Sequence, residues 1–222
     1  MSAANYGLDT DRVLASESLP DALRRRLAGR YAVDEFGGDP HLMDLVAPLF
    51  PLPVVVEHGE RVPDRGPALL VANRGLGILE PLAVVRAVRA AAGRRTRVVG
   101  APELPVIGDA IRTLGAIGYR ADDVAAMLRA GHLAAAPLGP TWLRPGLGEP
   151  PRALLVATLG FPVLPVAVRP GFPQAWPGRP WRVRVGAPLG PPPGTRAGDQ
   201  LAAAELAEAV HDAVAALLDE GP

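Results

Sequence analysis

The sequence predicts one α/β domain with a mostly parallel central sheet flanked by helices. From Pro53 onward, short apolar runs typical of buried strands alternate with longer segments whose apolar residues recur at helical spacing. These longer segments are long enough to form right-handed crossovers between parallel strands. With 222 residues, 49% of them hydrophobic, the chain can bury one sizeable core but not two comfortable ones.

The individual elements follow from local signals along the chain. Residues 9–30 are predicted to be helical, divided at Pro20 and ended at Gly29, and a second short helix covers 41–49. Residues 1–50 are thus expected to form a helical lead-in to an α/β domain at 51–222. The predicted strands of that domain are 53–58, 67–72, 96–100, 115–119, 132–137, 162–168 and 181–186. Its predicted helices are 80–92, 105–114, 121–130, 150–160 and 199–219.

The first helix contains the most basic stretch of the chain, Arg24 to Arg26 with Arg30 close behind. A solvated helix face is the favoured interpretation, and contact with a membrane surface or a phosphate is the alternative. The first ten residues lack the pattern of a signal peptide. The most apolar segment, 42–56, is broken by prolines and is shorter than the ~20 residues that span a bilayer. We expect a cytoplasmic protein, with peripheral contact at the inner membrane face as an open alternative.

Composition argues against several classes of function. All 23 basic residues are arginines and are balanced by 23 acidic residues, so no net charge favours nucleic acid as a partner. The absence of cysteine excludes thiolate metal sites and a cysteine nucleophile, and the four histidines lack metal-ligand spacing. Serine occurs only in the first 18 residues, which argues against a serine hydrolase. We therefore expect neither a metal nor another cofactor.

Residues 66–80 form the most informative stretch. A short apolar run at 68–71 ends at Asn73, a loop with two glycines follows, and Glu80 and Pro81 open a helical pattern. A strand that leads through a glycine-bearing loop into a helix is where α/β proteins place ligands. An ordinary connection, in which the glycines only make the turn, is the alternative.

The stretch from Glu57 to Asn73 resembles the approach to the first motif of the phospholipid/glycerol acyltransferase family, typified by lysophosphatidic acid acyltransferases. In that family the asparagine is followed by His, a short glycine-containing spacer and Asp. Here Arg74 stands at the His position, and Glu80 is the nearest acid. The lead-in at 31–40 also resembles the one that precedes the catalytic domain of some bacterial members. The resemblance extends over about residues 31–218 and implies a glycerol-3-phosphate acyltransferase-like fold.

Later blocks of the family are recognisable in the same order. Residues 114–120 resemble the second block, which implies that Arg120 binds an anion; an ordinary surface arginine is the alternative. Residues 136–141 resemble the third block, with Gly139 retained and Leu138 at the position of the family's Glu. Residues 161–168 resemble the fourth block. Residues 181–189 resemble the edge strand that precedes the last helix.

The chemistry of acyl transfer shows what the altered motif implies. Transfer from a thioester to a hydroxyl needs a base, and a guanidinium stays protonated and cannot serve as one. Arg74 can instead bind a phosphate, a carboxylate or a developing oxyanion. An Arg74–Glu80 ion pair that only fixes the loop is the alternative. The predicted site has Arg74 and Glu80 in catalytic positions, and its predicted substrate-binding residues are Asn73, Gly75, Arg120, Gly139 and Thr141.

No other histidine is expected to replace the missing base. His58 is predicted to lie near a strand end before a turn, and His132 at the start of a strand, far from the ligand end. Both are interpreted as surface or packing residues.

Two functions from different classes remain open. The first is an acyltransferase-like enzyme of lipid metabolism that acts on an acyl thioester, bound to coenzyme A or to an acyl carrier protein, by a non-standard mechanism. The second is a catalytically inactive homologue that holds a lipid, an acyl carrier or a protein partner in the same groove. Replacement of the family's His, Asp and Glu favours the second, whereas the acidic Glu80 favours the first.

Overall fold

The computed structural model confirms the predicted α/β class, a mostly parallel central sheet flanked by helices. The strands are β1 (Val54–Glu57), β2 (Ala68–Ala72), β3 (Thr96–Val99), β4 (Ala116–Ile117), β5 (Leu133–Pro137), β6 (Val163–Arg169) and β7 (Trp181–Val185). The helices are α1 (Leu19–Leu27), α2 (Leu79–Ala92), α3 (Ala121–Arg129), α4 (Arg152–Thr158) and α5 (Gln200–Asp219), with a 3-10 turn at Gly59–Arg61. The structure describes residues 18–29, 33–34, 36–39, 42–43, 52–75, 79–100, 111–142, 146–170, 180–191 and 193–220.

The described residues form seven strands of one sheet, and five neighbouring ones run in the same direction. The order across the sheet is β1-β7-β6-β2-β5-β3-β4, and the pairs from β6 to β4 are all parallel. Their carboxyl ends therefore meet at one edge, which we call the carboxyl edge. Strand β7 is antiparallel to β6 and parallel to β1, so β1 and β7 end at the opposite edge.

The expectation that residues 181–189 form an edge strand is wrong. Strand β7 lies between β6 and β1 and pairs with both, so β1 is the outermost strand on that side. Its side chains alternate, with Trp181, Val183 and Val185 buried. Local pattern shows that such a strand has one buried face, but its position in the sheet depends on pairing with a segment more than 120 residues away.

Helices cover both faces of the sheet and form two apolar layers. On strand β2, Leu70 belongs to the layer that includes α2, whereas Leu69 and Val71 belong to the layer that includes α3, α4 and α5. Because successive side chains of a strand point to opposite faces, an uninterrupted apolar run is what a strand covered on both sides requires. All five residues of β2 are accordingly buried.

Most helix ends follow the local signals in the sequence. Asp199 caps α5, because its carboxylate accepts hydrogen bonds from the backbone N–H groups of Leu201 (3.0 Å) and Ala202 (3.1 Å). Gly131, at φ 87°, follows the end of α3. Pro20 lies in the first turn of α1, where its missing N–H costs no helical hydrogen bond. Residues 9–17 and 101–110, parts of two predicted helices, lie outside the described residues.

Part of the lead-in is attached to the sheet by a buried ion pair. Arg97 of β3 is 5% exposed, and its guanidinium contacts the Asp34 carboxylate. Asp34 also accepts hydrogen bonds from the backbone N–H groups of Phe36 (3.0 Å) and Gly38 (2.9 Å). Burial lowers the pKa of Arg97, because a desolvated cation is disfavoured. Asp34 thus supplies the charge that compensates this buried guanidinium.

Among the residues that the structure describes, no helix has both the length and the apolar character needed to cross a membrane. Helix α1 is instead polar on much of its surface, and Arg24 pairs with Asp21 at 2.7 Å while both side chains remain largely exposed. Contact of this helix with a membrane surface, the alternative to a solvated face, stays a hypothesis.

Candidate functional site

The predicted site residues that follow β2 and β5 converge at the carboxyl edge. The backbone N–H of Leu138, just after β5, donates to the carbonyl of Ala72 at the end of β2 (2.8 Å). The loop after β5 then returns, and Gly146 forms an antiparallel bridge with Arg74. Two loops that are far apart in sequence therefore lie side by side.

Asn73 is placed by strand β6. Its side-chain amide donates to the carbonyl of Val168 (2.9 Å) and accepts from the N–H of Val168 (2.6 Å), and the residue is only 8% exposed. These two bonds continue the β2–β6 pairing beyond the last backbone pair. Asn73 thus fixes the start of the loop that holds Arg74, and its predicted contact with substrate stays a prediction.

Arg74 is partly buried and its guanidinium lies against two glycines of the neighbouring loop. A Cβ on Gly139 would stand 3.4 Å from Arg74 Nη1, and a Cβ on Gly148 would stand 2.7 Å from Arg74 Nε. Nε is buried and has no hydrogen-bond acceptor among the described residues. A buried donor without an acceptor loses its hydration without compensation, which costs about 1–3 kcal/mol.

Glu80 lies beneath the same loop. It is 1% exposed at the start of α2, and any side chain on Gly75 would overlap its carboxyl group. The close approach explains why glycine stands at position 75. Within the described residues Arg74 has no ion pair, which argues against the alternative interpretation of an Arg74–Glu80 pair; Glu80 has a polar or charged contact of its own. A carboxylate so deeply buried is poorly placed to accept a proton from a substrate hydroxyl.

Leu138, at the position of the family's Glu, belongs to the hydrophobic core. It is 0% exposed and packs in the layer of α3, α4 and α5. Gly139 comes directly after it with φ 91°, a conformation that favours glycine. The chain thus turns at Gly139 from the core towards the surface of the carboxyl edge.

The remaining part of the loop after β5 covers the end of β3. Trp142 is buried and its indole N–H donates to the carbonyl of Val99 (2.7 Å). Thr141 precedes it, is partly buried and makes a polar contact. The structure therefore places Thr141 on the same loop as Gly139, as the prediction requires, but does not test its contact with a substrate.

Arg120 lies farther along the carboxyl edge. It follows β4, which is separated from β2 by β5 and β3, or about 14 Å at roughly 4.8 Å per strand. Its exposed guanidinium stands 3.9 Å from the Asp123 carboxylate at the start of α3. The structure does not bring Arg120 together with Arg74, and its predicted role in anion binding stays a prediction.

No described histidine lies at this edge of the sheet. Burial raises the pKa of Tyr119, just after β4, to about 12, so its phenol stays protonated near neutral pH. His58 follows β1 at the opposite edge, and His132 precedes β5, where its ring packs edge-to-face on Phe36 (5.7 Å between centroids). His211 lies in the middle of α5, and His41 is outside the described residues.

Sequence reasoning missed two residues that shape this edge. Gly148 adjoins Arg74, and Trp142 caps β3. The closely spaced glycines at 146 and 148 signal a turn with unusual backbone angles, which the structure confirms with φ values of 113° and 86°. Nothing local to that stretch indicates that it would lie beside Arg74, because the contact is made through space between two loops.

Comparison with known proteins finds relatives that match part of this chain. No protein-family model matches the chain. It is similar to uncharacterized proteins of Mycobacterium tuberculosis and Mycobacterium bovis, 38% identical over 127 residues, and of Mycobacterium leprae, 37% identical over 127 residues. The matches cover 51% of this chain but only 34–35% of those proteins, so the chain spans about a third of the length of its curated relatives.

Among solved structures, the chain is similar to the 1-acyl-sn-glycerophosphate (LPA) acyltransferase PlsC from Thermotoga maritima. The TM-score is 0.49, the sequences are 18% identical, and the likeness covers 82% of each chain.

Proposed function

We propose that this is an acyltransferase-like protein that binds an acyl thioester at the carboxyl edge, through coenzyme A or an acyl carrier, without an imidazole base. The observation that carries the proposal is the Arg74 guanidinium, which stands at the position of the acyltransferase His and has a buried Nε with no acceptor among the described residues. A permanent cation there can hold a phosphate or polarise a thioester carbonyl, but cannot take a proton.

Burial of the neighbouring groups supports binding over ordinary acyl transfer. Glu80 is 1% exposed, and Leu138 is 0% exposed inside the core. Neither side chain is exposed to a substrate hydroxyl. A site with a cation and no imidazole fits a protein that holds an acyl thioester better than one that transfers its acyl group.

Replacing Arg74 by methionine is expected to weaken binding of palmitoyl-CoA about 10- to 100-fold. A hydrogen bond to a charged group contributes roughly 1.5–3 kcal/mol, and each 1.4 kcal/mol is a factor of ten in affinity. Stability towards urea should stay the same or rise slightly, since the guanidinium has no ion pair among the described residues to lose. Isothermal titration calorimetry, with urea unfolding of each variant, measures both effects.

The Arg65→Met variant is the matched control. Arg65 is exposed in the turn before β2, at the opposite edge, so its replacement removes the same charge without touching the site. Palmitoyl-pantetheine, which lacks the phosphates, separates the two roles: Arg74→Met should weaken its binding only if Arg74 contacts the thioester. If wild-type protein binds neither compound, or binds both as tightly after Arg74→Met, the proposal is wrong.

A non-standard enzyme remains the second candidate, and one observation favours it. The buried Nε–H of Arg74 is a donor that can stabilise an oxyanion developing on the thioester carbonyl. Release of free thiol from palmitoyl-CoA above the rate without protein, lost in Arg74→Met and kept in Arg65→Met, would favour this candidate. Binding without thiol release favours the first.

A further inference from the structure

Arg74 is held in an unusual way for a partly buried arginine. Other partly buried guanidinium groups among the described residues contact an acid, as Arg97 does with Asp34, or donate to a backbone carbonyl, as Arg94 does to Pro63 (2.9 Å). Within the described residues, no acid pairs with Arg74. What lies against its guanidinium is the backbone at Gly139 and Gly148.

Because glycine has no side chain, positions 139 and 148 leave the space that the Arg74 guanidinium occupies. A Cβ at position 148 would stand 2.7 Å from Arg74 Nε and would also overlap the carbonyl oxygen of Leu138. A Cβ at position 139 would stand 3.4 Å from Nη1 and 3.7 Å from Cζ, a tight but milder contact. An added Cβ would therefore approach Arg74 closely at position 148 and less closely at position 139.

Backbone conformation alone does not account for this arrangement. Gly146 and Gly160 also have positive φ values, 113° and 97°, yet a Cβ at either position would meet nothing within 4 Å. The need for glycine at these positions is therefore conformational only. At 139 and 148 the same conformational need coincides with close approach to Arg74.

We infer that Gly139 and Gly148 form a slot that positions the Arg74 guanidinium by shape and leaves its charge available to an oxyanion. The identity of the ligand, a phosphate or a thioester carbonyl, rests on the proposed function. An acid in the same place would hold the arginine equally well, but would neutralise it and compete with the ligand. A side chain held in advance also loses less conformational entropy when the ligand binds.

Four alanine variants test the slot: Gly148→Ala, Gly139→Ala, Gly146→Ala and Gly160→Ala. All four impose the strain of a side chain at positive φ, but only the first two place a Cβ against Arg74. The first readout needs no ligand. It is the Nε–Hε cross-peak of Arg74 in a proton–nitrogen correlation spectrum, assigned by its loss in Arg74→Met.

The Arg74 cross-peak should shift or disappear in Gly148→Ala, shift less in Gly139→Ala, and stay in place in Gly160→Ala. Affinity for palmitoyl-CoA should fall about tenfold or more in Gly148→Ala, the loss of one charged hydrogen bond, and less in Gly139→Ala. Equal effects in Gly146→Ala and Gly148→Ala would mean that loop strain is the cause, and would overturn the inference. An unmoved cross-peak in folded Gly148→Ala would do the same.

The Cβ of Gly148→Ala would also overlap the Leu138 carbonyl, so this variant can fail to fold. In that case Gly139→Ala is the deciding variant, because its Cβ would meet no backbone atom closer than Glu149 N at 3.8 Å. A shifted cross-peak there, with none in Gly160→Ala, supports the slot, and an unmoved one refutes it. If wild-type protein binds no acyl thioester, the proposed function fails while the cross-peak comparison still tests the slot.

Discussion

Replacing Leu138 by glutamate, the residue that acyltransferases have in the third block that the sequence resembles, is expected to destabilise the fold by about 3–5 kcal/mol or to prevent folding. The side chain at this position is 0% exposed in the core layer of α3, α4 and α5. A buried charge without a partner costs roughly this much, and the lost leucine packing adds to it. Urea unfolding monitored by circular dichroism measures the change.

Leu138→Met is the control for this experiment. A hydrophobic exchange of similar volume usually costs less than about 1.5 kcal/mol, so this variant should remain close to wild type. A Leu138→Glu variant as stable as Leu138→Met would mean that the side chain at position 138 can leave the core, and would make 138 a candidate catalytic position. The expected result instead means that this core does not accept a glutamate at position 138 by one substitution.

Removing Asp34 is expected to destabilise the protein by about 3–5 kcal/mol, measured by urea unfolding of Asp34→Ala. Arg97 would remain 5% exposed without its counter-charge, and one partner of a buried pair left alone has a cost of this size. The backbone N–H groups of Phe36 and Gly38 would also lose their acceptor. Trypsin should then cleave more readily near α1, whose arginines belong to the lead-in.

The double variant Asp34→Ala, Arg97→Met provides the comparison. Since it removes both charges, it should be more stable than Asp34→Ala alone, and the difference measures the coupling between the two residues. If both variants are equally stable, or if Asp34→Ala leaves stability unchanged, Arg97 is compensated in some other way. The lead-in would then not depend on this pair.

Local patterns predicted the parallel part of the sheet well. Strand β2 is apolar at every position because both of its faces are covered, and helix-length segments between strands fix the crossovers. The same patterns could not place β7. Its alternation of buried and exposed residues is equally compatible with an edge and with a position between β1 and β6, and only long-range pairing decides.

Only part of the candidate site could be predicted, again because local patterns do not show which distant segments meet. Asn73, Arg74, Gly139 and Thr141 follow strands β2 and β5, which are neighbours in a parallel sheet, so their loops meet at one edge. The sequence does not reveal that Asn73 is engaged by β6, that Glu80 lies beneath Gly75, or that Arg74 adjoins Gly148. Each of these contacts is set by loop conformation, which glycine spacing signals only as a turn.

We propose that Arg74 places a permanent cation where acyl transfer would need a base. Incubation of the purified protein with radiolabelled oleoyl-CoA and lysophosphatidic acid, beside an active acyltransferase as positive control, tests it directly. We predict no phosphatidic acid above the level formed without protein. Phosphatidic acid made by the wild-type protein in proportion to its concentration would contradict the claim.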